Sequence, residues 1–145
     1  MSCWVGIDPG ERRIGLARSD TLGMLATPRG VVGNQDLLLS WLQEIDDEHQ
    51  LKGIIVGLPR NMRGSYGPMA RRSMQLADWL RERVGVPVYL WDERLTTRQA
   101  RATGSKGGID ERAAAIILQS YLDAGTPTVE DPAPFEEEPP AIDAK

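Results

Sequence analysis

Asp8, Asp110 and the neighbouring pair Asp92-Glu93 are the side chains whose types and settings could do chemistry. Asp8 ends the apolar run Trp4-Val5-Gly6-Ile7 and precedes a Pro9-Gly10 turn. Asp92-Glu93 follows Val88-Tyr89-Leu90-Trp91, and Asp110 opens a stretch in which Ala113, Ala114, Ile117, Tyr121 and Leu122 recur at helical spacing. Carboxylates brought together repel, and burying each costs several kcal/mol unless a cation compensates. Oxygen-only ligands suit Mg²⁺ or Mn²⁺ rather than zinc. Two such ions roughly 4 Å apart can activate water and stabilise the leaving oxygen of a phosphodiester. That chemistry needs neither His nor Cys. The single histidine, His49, ends a helical stretch and the single cysteine, Cys3, starts a strand, so both are expected to be structural.

Whether the acids meet depends on the elements that carry them. Strands are expected over 4–8, 13–19 and 25–32, the third broken by Pro28 and so placed at a sheet edge. Asn34 can cap a helix reaching about residue 49, with Leu37, Leu38, Trp41, Leu42 and Ile45 as its apolar face. The run 53–57 is short and apolar throughout, as a strand buried on both faces should be. After the turn-rich 64–68, Met69, Arg72, Leu76, Trp79 and Leu80 predict a helix to about residue 84, closed by Gly85. A strand over 87–91, a short helix capped by Thr96, a loop over 104–108 and a last helix from Asp110 to a Gly125 stop complete the series.

Helical crossovers make the first, fourth and fifth strands parallel, while the initial meander is antiparallel, so the sheet is mixed and five-stranded with helices flanking it. Parallel strands end on one edge, the usual ligand-binding edge of α/β proteins, so 8–10, 58–61 and 92–94 should converge there. Asp110 is in register with Ala113, Ala114 and Ile117, so it should face the sheet and join them.

The 145 residues, 41% hydrophobic, suit one domain, expected over 1–125, with an acidic Pro/Glu-rich tail over 126–145 expected to be disordered. No signal-peptide pattern opens the chain and no apolar run approaches the roughly 18 residues of a membrane span, which favours a cytoplasmic protein with no membrane partner. The net charge of -4 argues against a nucleic-acid partner only on average. The tail sets six acids against one lysine, whereas positions 60–112 hold eleven Arg or Lys against six Asp or Glu.

Gly6-Ile7-Asp8-Pro9-Gly10 with Arg13-Ile14-Gly15 and Ser19-Asp20 forms a first block, and Val56-Gly57-Leu58-Pro59 with Asn61, Met62 and Gly64 a second. Asp92 to Thr97 forms a third, and Asp110 with Ala113-Ala114, Ile117-Leu118-Gln119, Tyr121 and Leu122 a fourth. In this order, over about residues 4 to 124, the blocks resemble the RuvX/YqgF family of Holliday-junction-resolvase-like proteins, whose members are also described as pre-16S rRNA nucleases. The resemblance implies an RNase H-like fold and a metal-dependent endonuclease acting on structured RNA or branched DNA. It implies that Asp8, Glu93 and Asp110 are the catalytic acids and hold the metal. Alternation along a strand agrees in separating Glu93 from Asp92, since the two point to opposite faces.

Arg60, Arg63, Arg94, Arg98, Arg101 and Lys106 lie on or beside the proposed edge and could contact phosphates, which positions a substrate without reading its sequence, while Asn61 and Thr97 could hydrogen-bond substrate or orient a ligand. Arg63 and Tyr66 stand where the family often has acids, making that loop more basic, while the stretch from Thr97 to Asp110 is shorter than in relatives. Symmetric cuts in a four-way junction would favour a homodimer. The competing reading is a nucleic-acid-binding factor that does not cleave. A nucleotide phosphotransferase is disfavoured because such proteins close two domains of this kind around the nucleotide.

Overall fold

The computed structural model describes residues 2–59, 67–93 and 109–132, with backbone alone for 109–111. Its elements are β1 (Cys3–Pro9), β2 (Ile14–Ser19), β3 (Ala26–Val32), α1 (Gln35–His49), β4 (Leu51–Leu58), α2 (Pro68–Arg81), β5 (Val88–Asp92) and α3 (Ile109–Asp123). The short helix expected after Thr96 lies outside the described residues.

The five strands form one sheet in the order β3-β2-β1-β4-β5. β1 pairs antiparallel with β2 and parallel with β4, and β4 pairs parallel with β5. β3 is the outer antiparallel strand, where Pro28 stands opposite Ala17 beside a register shift. Proline lacks an N–H to donate, so the ladder tolerates it only at such a place.

Side-chain alternation sorts each strand between two cores. Val5 and Ile7 of β1, Ile54, Val56 and Leu58 of β4, and Val88 and Leu90 of β5 pack with α1 and α2 in the larger core. Trp4, Ile55 and Trp91 face the other way, onto Ala114, Ile117, Leu118 and Tyr121 of α3. β4 is buried at every position except Lys52, as expected for a strand covered on both faces. Cys3 is buried in the larger core, and this burial pushes its thiol pKa up, as a structural cysteine requires.

Tyr121 anchors α3 to the sheet. Its ring stands edge-on to Trp4 at 5.0 Å and to Trp91 at 5.2 Å, and Trp91 Nε1 donates to Ser120 Oγ at 3.0 Å. Such aromatic pairs add about 0.5–1.5 kcal/mol each beyond the area they bury.

The helices depart from expectation in detail. In α1, Asn34 Oδ1 accepts from Leu37 N as the cap, and Leu38, Leu42 and Ile45 are buried, but Leu37 is 52% exposed because it sits at the margin of the stripe. α2 buries Ala70, Ser73, Met74, Leu76, Ala77 and Leu80. Arg72 lies on its exposed side, and the helix stops at Arg81 rather than near residue 84. There Leu80 O accepts from both Arg83 N and Val84 N, so the turn closes without Gly85. Gly125 does end the last helical turn, with φ +93.

Residues 126–132, given to the tail on composition, lie against the domain. Tyr121 Oη donates to Pro127 O at 2.6 Å, Val129 packs on the smaller core, and Arg81 grips both Asp131 carboxylate oxygens at 2.8 and 2.9 Å. Among the described residues no helix is long and apolar enough to cross a membrane.

Candidate active site at the sheet edge

Asp8 occupies the penultimate position of β1, half-buried, two residues beyond Gly6 and therefore on the α3 side of the sheet with Trp4 and Gly6. The register Gly6↔Ile55 and Ile7↔Val56 sets Asp8 beside Gly57 of the neighbouring strand, roughly 4.8 Å away. Gly57 in turn pairs with Trp91. Glu93 follows Trp91 by two residues and so returns to the same face. The side-chain geometry agrees: a Cβ built on Gly57 would lie 3.0 Å from Glu93 Oε2. The Glu93 carboxylate thus reaches back over β4, into the space between β5 and β1 that the missing side chain at 57 leaves open. Asp92 alternates to the opposite face, with Leu90 and Val88.

α3 carries the third acid. A Cβ on Gly6 would lie 2.7 Å from Leu118 Cβ and 2.8 Å from Ala114 O, while one on Gly57 would meet Ile117 Cδ1 at 2.5 Å. The helix therefore crosses β1 at backbone contact, which only glycine permits at position 6, and rests the Ile117 side chain on Gly57 of β4. It runs antiparallel to β1: Tyr121 is level with Trp4, and the turn from Ala114 to Leu118 lies over Gly6. From Gly6 to Asp8 the strand advances about 6.6 Å, the rise of about four helical residues, so position 110 lies in the helical turn nearest the Asp8 end of β1. It also falls on the helical stripe of Ala114, Ile117, Leu118 and Tyr121.

The donor set available at this edge is carboxylate oxygen, which suits a hard divalent cation, with no thiol or imidazole to favour a softer one. Among residues with described side chains no group of three or more His, Cys, Asp or Glu stands close enough to hold a metal ion, and the side chain of Asp110 is not among them. Arg60, Asn61, Arg63, Arg94, Thr97, Arg98, Arg101 and Lys106 all lie outside the described residues. Gly6 and Gly57 also build this edge, although neither carries a chemical group. Their signal was present, since a glycine inside a buried strand marks a close approach of another backbone or side chain.

This sheet order with α1 and α2 on one face and α3 on the other matches a solved structure of Thermus thermophilus RuvC in complex with Holliday junction substrate. The TM-score is 0.53 at 18% identity, over 87% of this chain and 98% of that one. The protein is thus an RNase H-like α/β domain with Asp8 and Glu93 at the C-terminal ends of two of its parallel strands. More narrowly, the chain belongs to the RuvX family, whose model, described as Holliday junction resolvase, matches residues 2–124.

Relatives carrying the name "Putative pre-16S rRNA nuclease" agree. The one from Syntrophomonas wolfei is 40% identical over 84% of this chain and 94% of its own length. The one from Myxococcus xanthus is 39% identical over 93% and 98%.

Proposed function

We propose that this protein is a metal-dependent endonuclease that hydrolyses phosphodiester bonds in structured nucleic acid, with precursor 16S rRNA as the substrate that the relatives' names favour. The observation that carries the reading is the Glu93 carboxylate lying over Gly57, the cross-strand neighbour of Asp8. With Asp110 joining them from α3, three acids would share one edge, and they would have little reason to coexist there without cations. Asp8, Glu93 and Asp110 would hold Mg²⁺ or Mn²⁺, two ions in the full reading. When bound, such ions activate water and neutralise charge on the phosphate.

The chain's own contribution is placement. β1 and β5 fix two carboxylates through parallel pairing with β4, and the aromatic anchor at Tyr121 fixes the helix that brings the third. Arg60, Asn61, Arg63, Arg94, Thr97, Arg98 and Lys106, in the segments that follow β4 and β5, contact substrate phosphates and backbone in this reading.

Asp8→Asn is the direct test, assayed on precursor rRNA fragments and four-way DNA junctions with Mg²⁺ or Mn²⁺. Cleavage should fall by at least about 100-fold, beyond the roughly 10–100-fold typical of losing a group that only orients a ligand, while circular dichroism and substrate affinity stay near wild type. Full cleavage by the variant would refute the reading. A wild-type protein that binds these substrates and yields no product under any divalent ion would favour a binding factor instead.

A further inference from the structure

A cleft of about 280 Å³ opens on the other side of the turn that follows Asp8. The β1–β2 turn supplies Arg12 and Arg13, α2 supplies Arg72 and Gln75, and the start of α1 supplies Gln35. Among the described residues Glu11 is the one acid lining it, beside the guanidinium groups of Arg12, Arg13 and Arg72. The cleft is built as well as charged. Gly10 N donates to Arg13 O at 2.8 Å, which closes the turn, and Arg72 Nη1 donates to Gly10 O at 3.3 Å, which holds the α2 guanidinium against it. Arg12, Arg13, Arg72 and Gln75 are all exposed, so the positive charge is presented to solvent.

Planar guanidinium forks with amide donors beside them match the oxygens of a phosphate diester. The volume is below the roughly 300–1,000 Å³ of pockets that enclose a whole small ligand, which suits a phosphate of a passing chain better than a free nucleotide.

We propose that this cleft seats a backbone phosphate of the same nucleic acid whose scissile bond lies at Asp8, so that the substrate crosses the Pro9-Gly10 turn from the α3 face to the α2 face of the sheet. The proposal rests on the nuclease reading above. From Asp8 to Arg12 the chain spans at most about 14 Å, which is about four nucleotide steps at the ~3.4 Å rise of a duplex strand. The cleft therefore fixes the register of the substrate a few nucleotides from the cut. A contact of this kind sets affinity and salt dependence and reads no sequence.

The test measures affinity of a fluorescein-labelled RNA hairpin and a labelled four-way DNA junction between 50 and 200 mM salt, on the Asp8→Asn background so that substrate survives. Arg12→Ala and Arg72→Ala should each lower the slope of log affinity against log salt by about 0.9 on duplex, or about 0.7 on single strands. Arg72→Lys should keep the slope, and Arg29→Ala, on exposed β3 and outside the cleft, should leave it unchanged. Arg12 tests the idea without touching the bond to Gly10.

Unchanged slopes in both alanine variants, or an equal loss in Arg29→Ala, overturn the proposal. If Asp8-intact protein still cleaves in that case, the nuclease reading stands and only the cleft assignment falls. A wild-type protein that neither binds nor cleaves either probe removes both.

Discussion

Replacing Gly57 with alanine should separate activity from stability. The added Cβ would lie 2.5 Å from Ile117 Cδ1 and 3.0 Å from Glu93 Oε2. Carbon atoms are at ease near 3.5–4.0 Å, so the first contact overlaps by 1 Å or more, but it falls on the tip of a side chain that can change rotamer. We expect about 1–2 kcal/mol of destabilisation, in the usual range for overpacking. The second contact is milder and more damaging, because it displaces the Glu93 carboxylate by several tenths of an ångström. Catalytic groups must be held within about 0.5 Å, and a 1 Å misplacement costs about 100-fold, so cleavage should drop about 10–100-fold. Adding Ile117→Val removes Cδ1 and should restore most of the melting temperature while leaving cleavage low. The assay pairs thermal melting with single-turnover cleavage for the wild type, Gly57→Ala, the double variant and Glu93→Gln. Near wild-type cleavage by Gly57→Ala, or activity that returns together with stability in the double variant, would show that Glu93 is not part of the reacting centre.

Mn²⁺ should raise the melting temperature of the wild type and not of Asp8→Asn, since an ion held at about 100 times its dissociation constant adds about 2.7 kcal/mol; equal shifts in both would remove Asp8 from the ligand set. Tyr121 has its pKa pushed up to about 12, first by burial and then by Tyr89. The folded protein therefore keeps that proton when the unfolded chain loses it. Its contribution is fully present below pH 10 and on the order of 2–3 kcal/mol is lost as pH rises through about 12; Tyr121→Phe should flatten that fall in alkaline denaturation curves. Arg81→Ala should cost about 1 kcal/mol, discounted because Asp131 is 47% exposed, and should speed hydrogen exchange over 126–132 while leaving cleavage unchanged.

Much of this fold was legible because its signals are local and periodic. The all-apolar Gly53 to Gly57 run belongs to a strand covered on both faces, and the Pro28-broken strand lies at the edge. Asp8 stands in the last turn of its strand on the face shared with α3. What was not legible depended on small residues. The packed stripe of α2 runs through Ala70, Ser73 and Ala77, which carry little hydrophobic signal, so the periodicity was drawn through Arg72 on the wrong side of the helix. That error bears on function, because Arg72 is free to face the basic cleft only when it is off the core. The docked segment 126–132 was hidden for a different reason: its composition is that of a solvated tail, and only the long-range partner Arg81 gives Asp131 a place.

The same logic explains the two strand glycines. Gly6 and Gly57 weaken their strands as isolated segments, and that local cost is met by the close approach of α3. With a side chain at Gly6 α3 could not sit this close to the sheet, and with one at Gly57 the space over it would be narrowed for Glu93. The acids name the chemistry, and the glycines make room for the elements that carry them.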